Sequence, residues 1–212
     1  MYSDITGIIL SGGKSSRMGT NKSLLVINGK TIIERIRDLM QGIFKEVILV
    51  TNEPDEYQFL DLRIYEDVFK GYGPLAGIHS GLLHSTTQKN FIISCDVPLM
   101  TEQMIKYLVE FKTKKSITIA KADGFIQQLV GIYFRDINVA VEEILKSQLS
   151  VDERNNNQLK RGCKVLSLVN KVGAEIINTE SLPFYKPDTY FNMNKQNDFN
   201  FVKETLSRLL TN

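Results

Sequence analysis

Histidine and cysteine are scarce in this 212-residue sequence, with two of each, and that scarcity narrows the chemistry. Cys95 and Cys163 stand far apart with no CxxC pair, so they are expected as reduced, mostly buried thiols rather than a disulfide. His79 and His84 are five positions apart, which sets them on different sides of a helix, unlike the i, i+4 pair of a zinc site. Structural zinc and a histidine base are both set aside. An excess of one charge is also lacking: 26 Lys and Arg face 24 Asp and Glu, for a net charge of +2, and the cations are dispersed along the chain. An extended nucleic-acid footprint is therefore not indicated, although a local phosphate site is not excluded. No stretch approaches the roughly 18 uninterrupted apolar residues of a membrane span, and MYSDITGIIL lacks a basic leader. No membrane partner is expected, and the expected location is cytoplasmic. Repeats and linkers are missing too, and 42% hydrophobic content can close a sizeable core, so residues 1–212 read as one domain.

What is present is an alternation of β-branched apolar runs with segments of helical period, the pattern of an α/β protein with a mostly parallel sheet. Strands are expected at 5–10, 46–50, 62–66 and 91–95. Between the first two, TIIERIRDLM carries Thr31 and Glu34 as a T-x-x-E capping box and apolar residues at helical spacing. Pro74 and Pro98 each lead into a further helical segment. After residue 115 two β-type runs flank Asp123 and Gly124, which predicts an antiparallel hairpin and hence a mixed sheet. INVAVEEILKS reads as a helix whose Glu142 and Glu143 form a solvated face. Residues 150–162 read as a mobile loop or short helix, CKVLSLV as a late strand, and NDFNFVKETLSRLL as a closing amphipathic helix.

The segment GIILSGGKSSRMGTNKSLL, residues 7–25, is the most distinctive. It is not a Walker A loop, because the first glycine of that motif would have to be at position 8, which is Ile8, and Gly7 sits inside the expected strand. A G-x-G-x-x-G dinucleotide fingerprint fails as well, since the glycines are Gly12, Gly13 and Gly19. Still, glycines directly after a strand let backbone N–H groups approach an anion, and Lys14, Arg17 and Lys22 supply the countercharge.

In a parallel sheet, ligands bind beyond the carboxyl ends of the strands. The first such end carries the glycine-cation loop, the second Thr51 and Asn52, the third Asp67, and the fourth Asp96. Magnesium takes one or two carboxylates together with phosphate oxygens and waters, which makes Asp96 the candidate metal ligand. Asn52 and Asp67 offer the donors and acceptors that suit a nucleoside. Together these groups describe a nucleoside triphosphate site without a P-loop.

The segments LSGGKSSRMG…K (10–22), GPLAGI (73–78) and CDVPLM (95–100) resemble the molybdenum cofactor guanylyltransferases of the MobA type, with QQLVGIY (127–133) and FNMNKQNDF (191–199) resembling two later blocks. The resemblance implies a Rossmann-like three-layer sandwich, with a nucleotide-binding half at 1–100 and an acceptor-binding half at 101–212. It also implies that Leu10, Ser11, Gly12 and Gly13 wrap GTP, that Lys22 and Arg17 contact its phosphates, and that Asn52 and Asp67 bind the guanosine. Asp96 would hold Mg2+, and Asn192 and Asn194 would bind the acceptor. Three positions depart from the family pattern: Asn21 replaces a usual Asp, Gln127 and Gln128 replace a common His-Pro, and NMNKQND replaces a block close to N-x-N-T-P-E-D.

The implied reaction joins GMP from GTP to the phosphate of molybdopterin and releases pyrophosphate, with molybdoenzymes or other cofactor-biosynthesis proteins as protein partners. Two rival readings stand beside it. One is a cytidylyltransferase or another sugar- or alcohol-phosphate nucleotidyltransferase, and the other is a nucleotide-binding chaperone for molybdoenzymes that performs no turnover.

Overall fold

A computed structural model describes residues 1–12, 21–154 and 163–210. Strand β1 (Tyr2–Leu10) is followed by a two-stranded ribbon of β2 (Val26–Ile27) and β3 (Lys30–Thr31), which the sequence did not announce. Helix α1 (Ile32–Ile43) starts on the expected capping box: Thr31 Oγ1 accepts from the Glu34 N–H, and the Glu34 carboxylate accepts from the Thr31 N–H. Then come β4 (Phe44–Val50), β5 (Arg63–Tyr65), α2 (Pro74–His84), β6 (Lys89–Ser94) and α3 (Glu102–Glu110). The expected hairpin is β7 (Ile117–Ala122) and β8 (Phe125–Phe134), turning at Asp123, whose φ of 54° is in the left-handed region, and Gly124. After it come α4 (Asn138–Arg154), α5 (Val165–Val172), β9 (Glu175–Asn178) and α6 (Gln196–Leu210).

Among the described residues, seven strands form one sheet in the order β5-β4-β1-β6-β8-β7-β9. The first four are mutually parallel, β8 is antiparallel to both β6 and β7, and β9 runs parallel to β7. The chain moves outward from β1 through β4 and β5, then returns to β6 on the other side of β1. That reversal opens a crevice between the carboxyl ends of β1 and β6.

Side chains alternate across the sheet, so Ile9 faces a core shared with α1 and α3, while Ile8 and Leu10 face a second core shared with α2, α4 and α5. This is the expected three-layer sandwich. Gly7 lets the first of these cores close on β1: a Cβ there would lie 2.8 Å from Met40 Cε, the end of a flexible side chain, and 3.0 Å from Phe44 Cδ2, so both would have to shift. No described helix is long and apolar enough to cross a membrane.

The expected late strand at CKVLSLV is corrected. Residues Val165–Val172 are helix α5, which buries Val165, Leu168 and Val169 at the i, i+3, i+4 spacing of one helical face. The last strand of the sheet is instead Glu175–Asn178. Glu142 and Glu143 pair with Lys146 and Lys171 at the surface, at 2.8 and 2.7 Å. Cys95 and Cys163 are free thiols.

Candidate active site

The crevice is bounded on one side by the end of β1. Cys95 N–H donates to Leu10 O at 3.0 Å, so β1 and β6 stay zipped up to the rim. The Leu10 side chain is buried in the core and leaves only backbone at the site. Ser11 is also buried, and its donors are engaged within the protein: its N–H reaches Val50 O at 2.9 Å and its Oγ donates to the Tyr57 hydroxyl at 2.8 Å. Gly12 is exposed, and a Cβ built on it would meet nothing within 4 Å. Backbone open on that side is where an anion can come close. Gly13, Lys14 and Arg17 lie outside the described residues.

At the ends of β4 and β5, Asn52 and Asp67 form a reciprocal pair. Asn52 Nδ2 donates to Asp67 Oδ2 at 2.8 Å, and Asp67 N–H donates to Asn52 Oδ1 at 3.2 Å. Burial raises Asp67 above the usual carboxylate range, opposed by the Asn52 bond and by Lys70. Helix α2 enters beside them at Gly73, whose φ of 72° favours glycine, followed by Pro74 in the first turn. Gly77 of that helix lies under the pair, with Asp67 Oδ1 3.7 Å from the place a Cβ would take.

Asp96 follows β6 directly. Burial raises its carboxyl, opposed by hydrogen bonding from Ser94 and by the charge of Lys22. Its neighbours come from the far end of the chain. Met193 N–H donates to Asp96 O at 2.8 Å, and the Asn192 amide, oriented with nitrogen inward, sits 3.1 and 3.2 Å from the two carboxylate oxygens. That orientation places a donor against an acceptor-only group. Lys22 reaches the same segment, with Nζ 3.4 Å from Asn194 Oδ1. Asn192 and Asn194 thus meet Asp96 and Lys22. The Cys95 thiol beside them is pushed up to about 12 by burial, with the Asp96 charge adding to the effect, so it stays protonated and is no nucleophile at neutral pH.

A cavity of about 460 Å³ adjoins Asn192. It runs beneath Gln127 and Gln128 to Lys164 and Leu166, with Val97 and Val130 in its wall. Part of its wall lies on a bulge: β7 pairs Ile119 with Gly131 and Ala120 with Gln127, so the lining residues Gln128, Leu129 and Val130 have no partner on β7. Gly131 is obligatory there, since a Cβ would fall 2.3 Å from Thr118 O.

The sequence matches the MobA-like NTP transferase domain over residues 7–159. The chain belongs to this family. It is 36% identical over 198 residues to a probable molybdenum cofactor guanylyltransferase of Carboxydothermus hydrogenoformans, covering 92% of this chain and 93% of that protein. Identity to a protein of the same description from Clostridium perfringens is 31% over 192 residues, covering 90% and 92% of the two chains. The crystal structure of molybdopterin-guanine dinucleotide biosynthesis protein A from Archaeoglobus fulgidus superposes with a TM-score of 0.78 at 20% identity, over 96% of this chain and 99% of that one. The last comparison bears on the fold, and there the mixed seven-stranded sheet agrees.

Tyr57 was missed by the sequence reading. It lies in the seven-residue 3-10 helix Pro54–Leu60, within a polar stretch where an aromatic residue gives no sign of pointing at the rim. Its hydroxyl is within 2.8 Å of Ser11 Oγ, Asn21 Nδ2 and Ser23 Oγ, contacts that only the folded arrangement displays.

Proposed function

We propose that this protein is a molybdenum cofactor guanylyltransferase, which transfers GMP from GTP to the terminal phosphate of molybdopterin. The observation that carries the reading is the meeting of Lys22 and Asp96 with Asn194 and Asn192 at the crevice between β1 and β6, beside a cavity large enough for a second substrate. GTP would lie along the rim, with guanosine at Asn52 and Asp67 and phosphates against Gly12 and Lys22. Molybdopterin would enter through the cavity under Gln127 and Gln128, where amides can match the donors and acceptors of a pterin edge and Lys164 can meet a charge.

In this reaction an acceptor phosphate oxygen bonds to the α-phosphorus of GTP, and the bond from that phosphorus to the β-phosphate bridging oxygen breaks. Pyrophosphate leaves with the electron pair. Both reactants are already ionised, so no general base is needed, and the protein's work is alignment and neutralisation of charge. Lys22 supplies a cation at the shared edge of the two subsites, and Asn192 holds the Asp96 carboxylate in place.

Among the described residues no three His, Cys, Asp or Glu side chains gather into a metal cluster. A single carboxylate at a phosphate site suits magnesium, which keeps waters and phosphate oxygens in its shell, and Asp96 would hold it. Magnesium bound there would neutralise phosphate charge in the transition state.

The test is a thermal-shift series with GTP, CTP and ATP, with and without magnesium, on wild type and Asp96→Ala, followed by pyrophosphate release with molybdopterin. A nucleotide at about a hundred times its dissociation constant stabilises by roughly 2.7 kcal/mol, which is readily seen. A magnesium-dependent GTP shift lost in the variant, with pyrophosphate released from wild type, is expected. A shift with CTP alone would overturn the guanylyl assignment, and GTP binding without pyrophosphate release would overturn catalysis.

A further inference from the structure

The three contacts to the Tyr57 hydroxyl resolve into one directed circuit. Ser11 Oγ donates to Tyr57 at 2.8 Å, and so does Asn21 Nδ2. The single Tyr57 proton then goes to Ser23 Oγ at 2.8 Å, and the Ser23 hydroxyl donates to Asn21 Oδ1 at 2.8 Å. The orientation of the Asn21 amide is fixed from both ends. Its oxygen also accepts from Ser23 N–H at 3.2 Å, and its nitrogen also donates to the Glu56 carboxylate oxygen Oε2 at 2.6 Å.

This circuit spans a functional distance. Tyr57 and Ser11 are buried, and Ser11 marks the end of β1. Asn21 caps the single turn Lys22–Leu24, whose backbone is further held by Leu24 N–H to Asn21 O at 3.1 Å. One hydroxyl therefore ties the backbone bearing Lys22 to the strand end bearing Gly12.

We infer that Asn21, through its circuit with Tyr57 and its bond to Glu56, is a positioning residue that sets Lys22 against the phosphate chain of the nucleotide. The inference rests on the reading of Lys22 as a phosphate ligand. Only an amide fits the place. An aspartate at position 21 would have no proton for Tyr57 and would set a carboxylate against the Glu56 carboxylate. Tyr57 and Ser23 would then both turn their protons to the new side chain, leaving their own 2.8 Å contact without one.

The experiment compares Asn21→Asp with the double variant Asn21→Asp/Glu56→Gln, in which the second change restores a donor facing the new carboxylate. Inorganic tripolyphosphate with magnesium, measured by calorimetry, is the probe because it reports phosphate binding without base recognition. The expected result is binding weakened by at least about tenfold in the single variant and restored to within about threefold of wild type in the double. In turnover assays the KM for GTP should rise while that for molybdopterin stays unchanged. Tyr57→Phe, which only removes one oxygen from a buried ring, should weaken tripolyphosphate binding in the same direction. Unchanged tripolyphosphate affinity in a destabilised Asn21→Asp would overturn the inference by making the circuit merely structural, as would a double variant no better than the single. Failure of the guanylyl reading shows separately, as wild type that binds tripolyphosphate but releases no pyrophosphate from GTP and molybdopterin.

Discussion

Asn52 and Asp67 grip each other side chain to side chain and side chain to backbone, at 2.8 and 3.2 Å, and thereby lock the ends of β4 and β5 into a single polar edge. Because Asn52 already donates to one Asp67 oxygen, the carboxylate is oriented before any ligand arrives.

Asp67→Asn separates the cost of that carboxylate from its use. Burial raises the wild-type group, so folding favours its protonated form. The stability this preference brings is complete below the ordinary aspartate range and is lost as pH rises through the raised folded value. The asparagine variant has no such loss. It should melt at or above wild type at pH 8, and the two should converge in acid. GTP affinity should fall by about tenfold, as expected for a lost hydrogen bond to a charged group. Melting curves against pH and calorimetric titration with GTP check the two halves.

Lys22→Ala should lower turnover by at least about a hundredfold, the effect of removing one electrostatic group from a transition state. Its contact with Asn194 is long and exposed, so stability should change by no more than about 0.5 kcal/mol. Steady-state kinetics and a melting curve on the same preparation test this contrast.

Asn192→Ala should cost less than removal of Asp96. The asparagine orients the carboxylate and does not replace it, and losses of such supporting contacts run at about ten- to a hundredfold. Raising magnesium should recover part of the Asn192→Ala loss and none of the Asp96→Ala loss.

Gly131→Ala should destabilise through the β7–β8 bulge. The added methyl would meet a backbone oxygen at 2.3 Å and Ile119 Cγ2 at 2.8 Å, and such crowding costs about 1–3 kcal/mol. Denaturant midpoints measure it directly.

The parallel half of the sheet was legible because each strand is a β-branched run followed by a helix with its own start signal, Thr31 with Glu34 being the clearest. The rim was legible for the same reason, since strand ends in such a sheet share one edge. Misreading CKVLSLV (163–169) as a strand, where the chain forms the helix Val165–Val172, has a physical cause. Eight residues rich in valine and leucine fit either period, and burial against α4 decided for the helix. β9 escaped because a four-residue edge strand with one buried side chain, Ile177, carries almost no pattern. Tyr57 escaped because hydrogen-bond circuits join residues that are far apart in the chain, and spacing does not record them. Asn192 and Asn194 were foreseen only as acceptor ligands, and their contacts with Asp96 and Lys22 were not.

Those contacts couple the order of synthesis to the geometry of the rim. Residues up to Asp96 contain the parallel strands β1, β4, β5 and β6 and the rim at their ends, but the amide against Asp96 and the partner of Lys22 are translated about a hundred residues later. A chain still emerging from the ribosome would hold its rim with neither Asp96 nor Lys22 braced. A chain cut before Asn192 would lose not only that brace but also Met193 and Val202 from the core, so the same short stretch finishes both the packing and the rim.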